Sequence, residues 1–310
     1  MNVLKFGGTS VGTVESLINV RNIVESLPSD TVVVVSALGG VTDKLIATAR
    51  IAADGGDWNK EADSIAERHY NIIDALVRDE RKSAIREAID SLLEELRRTY
   101  LGVSLIGDLP SKTLDVIVSL GERMSAPIVA GIIKNARLHN SLDFVKTEKW
   151  FDKNIADAVL THTLISKEFS SLEMGPHVTG GFISQDRDTG EITNLGRGGS
   201  DYTAALIAAA LNADMLDIWT DVDGFMTADP RIISEAKVLP EMSFIESMEL
   251  CTFGAKVIYP PTIYPVFHKN IPIRILNTFN PSAPGTLISD SSDCHEFPVK
   301  GVPAIRNTSL

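Results

Sequence analysis

The chain has 310 residues, 44% of them apolar and 23% charged, with a formal net charge of −12. This composition suits a soluble globular protein of two lobes with a fragment of a third, and it argues against nucleic acid as a partner. No run approaches the roughly 20 apolar residues of a membrane span, and no signal-peptide zones precede the first strand-like segment. Cys251, Cys294 and the six histidines form neither a metal nor a redox pattern. The expectation is a cytoplasmic protein with no membrane association, in which Cys251 is a buried apolar filler.

Asn2 to Phe6 is a short apolar segment that ends at Gly7-Gly8. Leu17, Val20, Ile23, Val24 and Leu27 then recur at helical steps until Pro28. Thr31 to Val35 reads as a strand buried on both faces, the mark of a parallel sheet covered by helices, and it runs out into Gly39-Gly40. Strand, glycine turn and helix thus follow one another twice within the first fifty residues.

From about Lys44 to Asn135 the pattern is helical, with one apolar face carried by Ile85, Ile89, Leu92, Leu93 and Leu96. Strand signals return at Phe144-Val145, His177 to Ser184, Ile192 to Leu195, Leu216 to Thr220 and Ile271 to Asn277, and Tyr202 to Leu211 reads as a helix. This alternation predicts an α/β fold with a largely parallel central sheet and helices on both faces.

Glycine clusters sit at strand ends four times: Gly7-Gly8, Gly39-Gly40, Gly180-Gly181, and Gly196 with Gly198-Gly199. Glycine lets backbone amides approach phosphate closely, and a following helix turns its positive end to the same place. The common phosphate signatures nevertheless fail. Thr13 stands where a P-loop lysine belongs, Lys5 precedes its glycines instead, and Asp201 replaces the last glycine of a dinucleotide fingerprint.

Lys5-Phe6-Gly7-Gly8-Thr9-Ser10-Val11 resembles the opening signature of aspartate kinases, within the amino acid kinase superfamily. Ser36 to Leu45, Gly121-Glu122-Arg123, Leu195 to Asp201, Thr220 to Gly224 with Asp229-Pro230-Arg231, and Gly254-Ala255-Lys256-Val257 match in the same order, so the resemblance covers about Asn2 to Ile288. It implies the amino acid kinase fold, with an aspartate-binding lobe over 1–205 and an ATP-binding lobe over 206–290. Residues 291–310 then form a linker and the start of a regulatory domain. The implied reaction is ATP-dependent phosphorylation of the side-chain carboxylate of L-aspartate, which opens the route to lysine, threonine and methionine.

The resemblance also implies roles. Lys5 would act on the transferring phosphoryl group, with Asp201 orienting it, although an Asp in a first helical turn can also simply cap. Arg197 would bind the α-carboxylate of aspartate, Glu122 its ammonium, and Thr42 and Ser200 would add hydroxyls. Gly7, Gly8, Ser36, Gly39, Gly40, Thr220, Asp221, Phe225, Arg231 and Lys256 would line the nucleotide. Phe225 falls where tyrosine is frequent in that family. Mg2+ would arrive with ATP and need few protein ligands. Rival readings are a related kinase acting on another acid, such as an acetylglutamate or uridylate kinase, and an amino-acid sensor without catalysis. Family members commonly associate through regulatory domains, so a homo-oligomer is expected to be weakened here, and a homoserine dehydrogenase can follow in bifunctional relatives.

Overall fold

The computed structural model describes residues 1–27, 30–151, 153–170, 174–229, 232–255, 257–291 and 301. Expectations for Pro28, Pro230, Arg231, Lys256, Cys294, 297–300 and Val302 therefore lie outside the described residues.

The chain opens with β1 (Asn2–Phe6), α1 (Val14–Glu25) and β2 (Val32–Val35). Thr13, where a P-loop would carry lysine, is the N-cap of α1: its side chain accepts from the Ser16 amide while the Ser16 hydroxyl accepts from the Thr13 amide. The long helical stretch resolves into α2 (Val41–Ala53), α3 (Asn59–Leu76), α4 (Asp79–Ile106) and α5 (Ser111–Ile132). There follow β3 (Arg137–His139), α6 (Ser141–Phe144), β4 (Lys146–Trp150), β5 (Lys153–Ala156), α7 (Ala158–Glu168), β6 (His177–Gly180), β7 (Ile183–Asp186) and β8 (Ile192–Asn194). The last part contains α8 (Gly199–Leu211), β9 (Met215–Thr220), β10 (Glu241–Ser243), α9 (Phe244–Thr252), a 3-10 turn (Pro260–Thr262), α10 (Ile263–Phe267), β11 (Ile273–Asn277) and β12 (Thr286–Ser289).

Eight strands form one sheet in the order β10-β12-β11-β9-β1-β2-β6-β3, parallel throughout except for the β11–β12 pair. The period-two alternation of strands explains the two cores. Val33 and Val35 face α1 to α5 together with Leu4 and Phe6, whereas Val32, Val34, Val3, Leu216 and Ile218 face α7, α8 and α10. All four valines of β2 are 0% exposed, so this strand is covered on both sides as its composition requires.

Two expected strands are corrected. Phe144 closes the short helix α6, because the Asn140 side chain accepts from the Leu142 amide and starts a turn; the strand begins at Lys146. His177 to Ser184 is not one strand either. Gly181 still donates to the Val35 carbonyl, but Phe182 takes φ 65°, and the chain passes into a second sheet of order β5-β4-β7-β8. Cys251 is part-buried beside the second core rather than enclosed in it. Helix α8 runs across the expected lobe boundary between residues 205 and 206, and β1 pairs directly with β9 across it.

Candidate active site

Because β1, β2, β6 and β9 are parallel and in register, their carboxyl ends fall on one edge: Phe6 stands beside Val35 and Trp219, and Val35 beside Gly180. In such sheets ligands bind beyond those ends. A cleft of about 380 Å³ opens there, and its wall includes Lys5, Gly8, Ser36, Gly39, Gly40, Thr42, Glu122, Arg197, Ser200 and Asp201. Residues separated by nearly two hundred positions are thus gathered into one site.

Two helices aim their amino ends at this space. The N-caps of α2 and α8 are Gly40 and Gly198, both in the left-handed conformation, and neither supplies a side-chain cap. Val41 and Gly199 donate within their own turns, to Leu38 and Gly196, but among the described residues no acceptor engages the amides of Thr42, Asp43, Ser200 and Asp201, which favours anionic groups. Thr42 lies in the first turn of α2, and Ser200 and Asp201 in that of α8.

Lys5, one residue before the end of β1, places its Nζ 2.6 Å from Asp201 Oδ1, with both side chains only 11–12% exposed. Asp201 therefore holds the lysine rather than capping its own helix. Arg197 is exposed on the turn between β8 and α8, and no ion pair or hydrogen bond engages its guanidinium among the described residues. Its fork is left open to a ligand.

Glu122 shows why a helical glutamate can carry function. It lies in α5, 4% exposed, and α5 approaches the end of β2 so closely that a Cβ on Gly121 would stand 2.7 Å from that of Ala37. Glu122 Oε1 accepts the Ala37 amide at 3.0 Å, while Oε2 is buried without a partner. Burial pushes the carboxyl up to about 8, opposed by that amide and by the charge of Lys5. An unpartnered, buried carboxyl oxygen beside a cleft either keeps a proton or meets a donor brought by a ligand.

Thr220 and Asp221 stand at the carboxyl end of β9, next to the strand whose Gly7 amide donates to the Trp219 carbonyl, but they are not on the cleft wall. Phe225, expected at the nucleotide, is 1% exposed within the second core, where apolar side chains surround its ring, and its amide donates to Thr286 Oγ1. Phe182 on the cleft wall and the Ala37 amide that orients Glu122 were not read from the sequence. The Gly180-Gly181 cluster was the available signal for Phe182. Nothing local marks Ala37.

The amino acid kinase family matches residues 1–277. Lysine-sensitive aspartokinase 3 of Escherichia coli is 36% identical over 297 residues, with 94% of this chain and 64% of that protein covered. Aspartokinase 1 of Arabidopsis thaliana chloroplasts is 33% identical over 323 residues, covering 99% of this chain and 55% of that protein. The solved structure of E. coli aspartokinase III in complex with aspartate and ADP superposes with a TM-score of 0.85 at 34% identity, over 95% of this chain and 65% of that one. The chain thus spans only 55–65% of these relatives' length. Among the described residues no helix is long and apolar enough to cross a membrane. With fold, strand-end cleft and sequence agreeing over nearly its whole length, the chain belongs to the amino acid kinase family.

Proposed function

We propose that this chain is the catalytic part of an aspartate kinase, which transfers the γ-phosphoryl group of ATP to the side-chain carboxylate of L-aspartate. The observation that carries the reading is the set gathered in one cleft: the open Arg197 fork, the unpartnered Glu122 oxygen, and the Lys5–Asp201 ion pair. An α-amino acid needs one cation for its carboxylate and one anion for its ammonium, and Arg197 and Glu122 supply them. The similar E. coli enzyme binds aspartate and ADP, which supports the same ligands here.

The chemistry needs no general base, because the nucleophile is already a carboxylate at neutral pH. One carboxylate oxygen attacks the γ-phosphorus, the bond to the β–γ bridging oxygen breaks, and ADP departs with the electron pair; no proton moves. The barrier is repulsion between anions, so positioning and cations carry catalysis. Lys5 offsets charge on the transferring group, Asp201 keeps its ammonium aimed, and the open amides of α2 and α8 add fixed partial charge. Thr42 and Ser200 are assigned hydroxyl contacts to aspartate. Gly7, Gly8, Ser36, Gly39, Gly40, Thr220 and Asp221 are assigned to the nucleotide, and Arg231 and Lys256 are assigned to its phosphates.

Among the described residues, no group of three or more His, Cys, Asp or Glu gathers as a metal site. A Mg2+ entering with ATP would be held chiefly by phosphate oxygens, with Asp43, Glu122 and Asp201 the acids on the cleft wall, and would neutralise phosphate charge. We assign 1–205 to the aspartate lobe and 206–290 to the ATP lobe, and place the protein in the cytoplasm, in the synthesis of lysine and threonine. The deciding experiment is a hydroxamate assay, which traps acyl phosphate. Product with aspartate and ATP, and little with glutamate or N-acetylglutamate, supports the reading; hydroxamate with one of those acids and none with aspartate would refute it.

A further inference from the structure

The loop that carries Arg197 is poorly held by its own sequence. Gly196 and Gly198 both have positive φ, 71° and 69°, and the turn is closed by hydrogen bonds from the Gly196 amide to Asn194 Oδ1, from Gly199 to the Gly196 carbonyl and from Tyr202 to the Gly198 carbonyl. A segment this rich in glycine has many conformations of similar energy. An arginine recognises a carboxylate bidentately only when its fork is held in place. Something outside the loop has to restrict it.

That contact comes from a distant part of the chain. A Cβ built on Gly198 would lie 2.3 Å from Tyr259 Cβ, 2.8 Å from its Cγ and 2.9 Å from its Cδ1. The tyrosine thus fills the space that a side chain at 198 would take, pressed onto the bare backbone of the loop. Tyr259 is itself well anchored. It precedes Pro260, which confines it to extended backbone, seen as φ −83° and ψ 122°, and its carbonyl accepts the Thr262 amide at 2.9 Å. The following helix, α10, buries Ile263 and Val266 in the same core as Ala204, Ala205 and Ala208 of α8. Ring and loop therefore share one rigid base, and Tyr259, 36% exposed, is a surface brace and not core filling.

We propose that Tyr259 is a positioning residue, which braces the Gly196–Gly199 loop and thereby sets the Arg197 fork for the amino acid's α-carboxylate. The inference rests on the assignment of Arg197 to aspartate. It also explains why glycine stands at 198: any side chain there would collide with the brace. The atoms nearest position 198 are Cβ, Cγ and Cδ1, and among the described residues no hydrogen bond engages the hydroxyl, so the brace is assigned to the ring.

The test is steady-state kinetics on the full chain, with aspartate varied at saturating ATP. Tyr259→Phe should match the parent. Tyr259→Ala should raise the aspartate KM at least about fivefold, while the ATP KM and kcat stay within about threefold. In an Arg197→Ala background, Tyr259→Ala should add less than about twofold, because a residue that acts through Arg197 has nothing left to position. If alanine does not fold, Tyr259→Leu keeps apolar bulk but loses the flat ring, and the same directions are expected at smaller size. An equal KM increase with and without Arg197 would make Tyr259 merely structural and overturn the inference. So would an unchanged aspartate KM in folded Tyr259→Ala, or a Tyr259→Phe protein as impaired as the alanine. A parent that makes no aspartyl hydroxamate sinks the aspartate reading and this inference with it; an active parent with any of those outcomes sinks the inference alone.

Discussion

The seam between β9 and β11 and the cleft at the strand ends each bury an acid, and they treat it in opposite ways. Asp217 in β9 is 1% exposed, and both its oxygens are engaged at 2.7 Å by Arg274 of the neighbouring strand, a bidentate pair across the register. Glu122 is 4% exposed, with one oxygen on a backbone amide and the other unpartnered. Burial raises both carboxyls above their ordinary values, and only Asp217 has a full counterion within the fold. A satisfied buried acid ties two strands together; an unsatisfied one leaves the fold incomplete until a cation arrives. The first contributes to stability, and the proposed function assigns ligand recognition to the second.

The largest expected effect is at the Lys5–Asp201 pair, where the fold has already supplied the partner. Lys5→Ala removes a positioned cation from the developing phosphoryl charge. Loss of such a contact costs about 3–4 kcal/mol, or ~100–1000-fold in kcat, with little change in aspartate KM. Turnover within about threefold of the parent would take Lys5 out of the reaction.

The two acids themselves give the second test. Glu122→Gln should raise the aspartate KM by about 1.5–3 kcal/mol, roughly 10–150-fold, by removing the charge opposite the ammonium, while leaving the unfolding midpoint unchanged or higher. Asp217→Asn should do the reverse. It weakens a paired buried charge at a cost of about 1–3 kcal/mol, the lower end being favoured because Arg274 is 38% exposed and partly hydrated, and kinetics should stay near the parent's. Thermal unfolding and initial rates on both variants check this together. The contrast fails if Glu122→Gln loses stability and Asp217→Asn loses activity.

Next in size is Arg197→Lys, which keeps the charge and loses the fork. The aspartate KM should rise about tenfold or somewhat more, with ATP affinity nearly constant. Collapse of ATP binding with aspartate binding intact would move Arg197 to the other substrate.

The same contrast explains what could be read before folding. β1, β2 and β9 were legible because a parallel strand covered on both faces has to be an apolar run, and Val32–Val35 has no other use. Glycine turns at the strand ends marked the neighbourhood of Lys5, Arg197 and Asp201, and the resemblance supplied their roles. The three-residue edge strands β3 and β10 carry no such run. The break at Phe182 depends on one positive φ that only packing reveals. Glu122 was found through its resemblance alone: on a helix it looks like any solvated acid, and its burial comes from the approach of α5 to Ala37. The burial of the Phe225 ring in the second core was not legible either, because nothing local says which way a loop residue turns.

The last test is a pH dependence, and its sign follows from Glu122. Its folded carboxyl titrates at about 8, against an ordinary value of 4.5, so in the empty protein it carries a proton through much of the neutral range. Between those values the folded state binds more protons than the unfolded one. This contribution to stability is complete below about 4.5 and is lost as pH rises through about 8, with a slope of at most ~1.4 kcal/mol per pH unit. His69 works the other way on the acid side: burial lowers it from 6.5 to about 4, so its stability contribution is present above 6.5 and lost as pH falls towards 4. The clean window for Glu122 is therefore pH 6.5–8, where the parent's unfolding midpoint should fall relative to that of Glu122→Gln. Aspartate reverses the sense, since its ammonium favours the carboxylate form. Its affinity should rise with pH by up to about tenfold per unit below 8, and binding near pH 6.5 should release close to one proton. Calorimetric titration in buffers of different ionisation enthalpy measures that proton directly. A parent that releases none at pH 6.5, or a Glu122→Gln variant that releases as many, would show that the ammonium does not dock on Glu122.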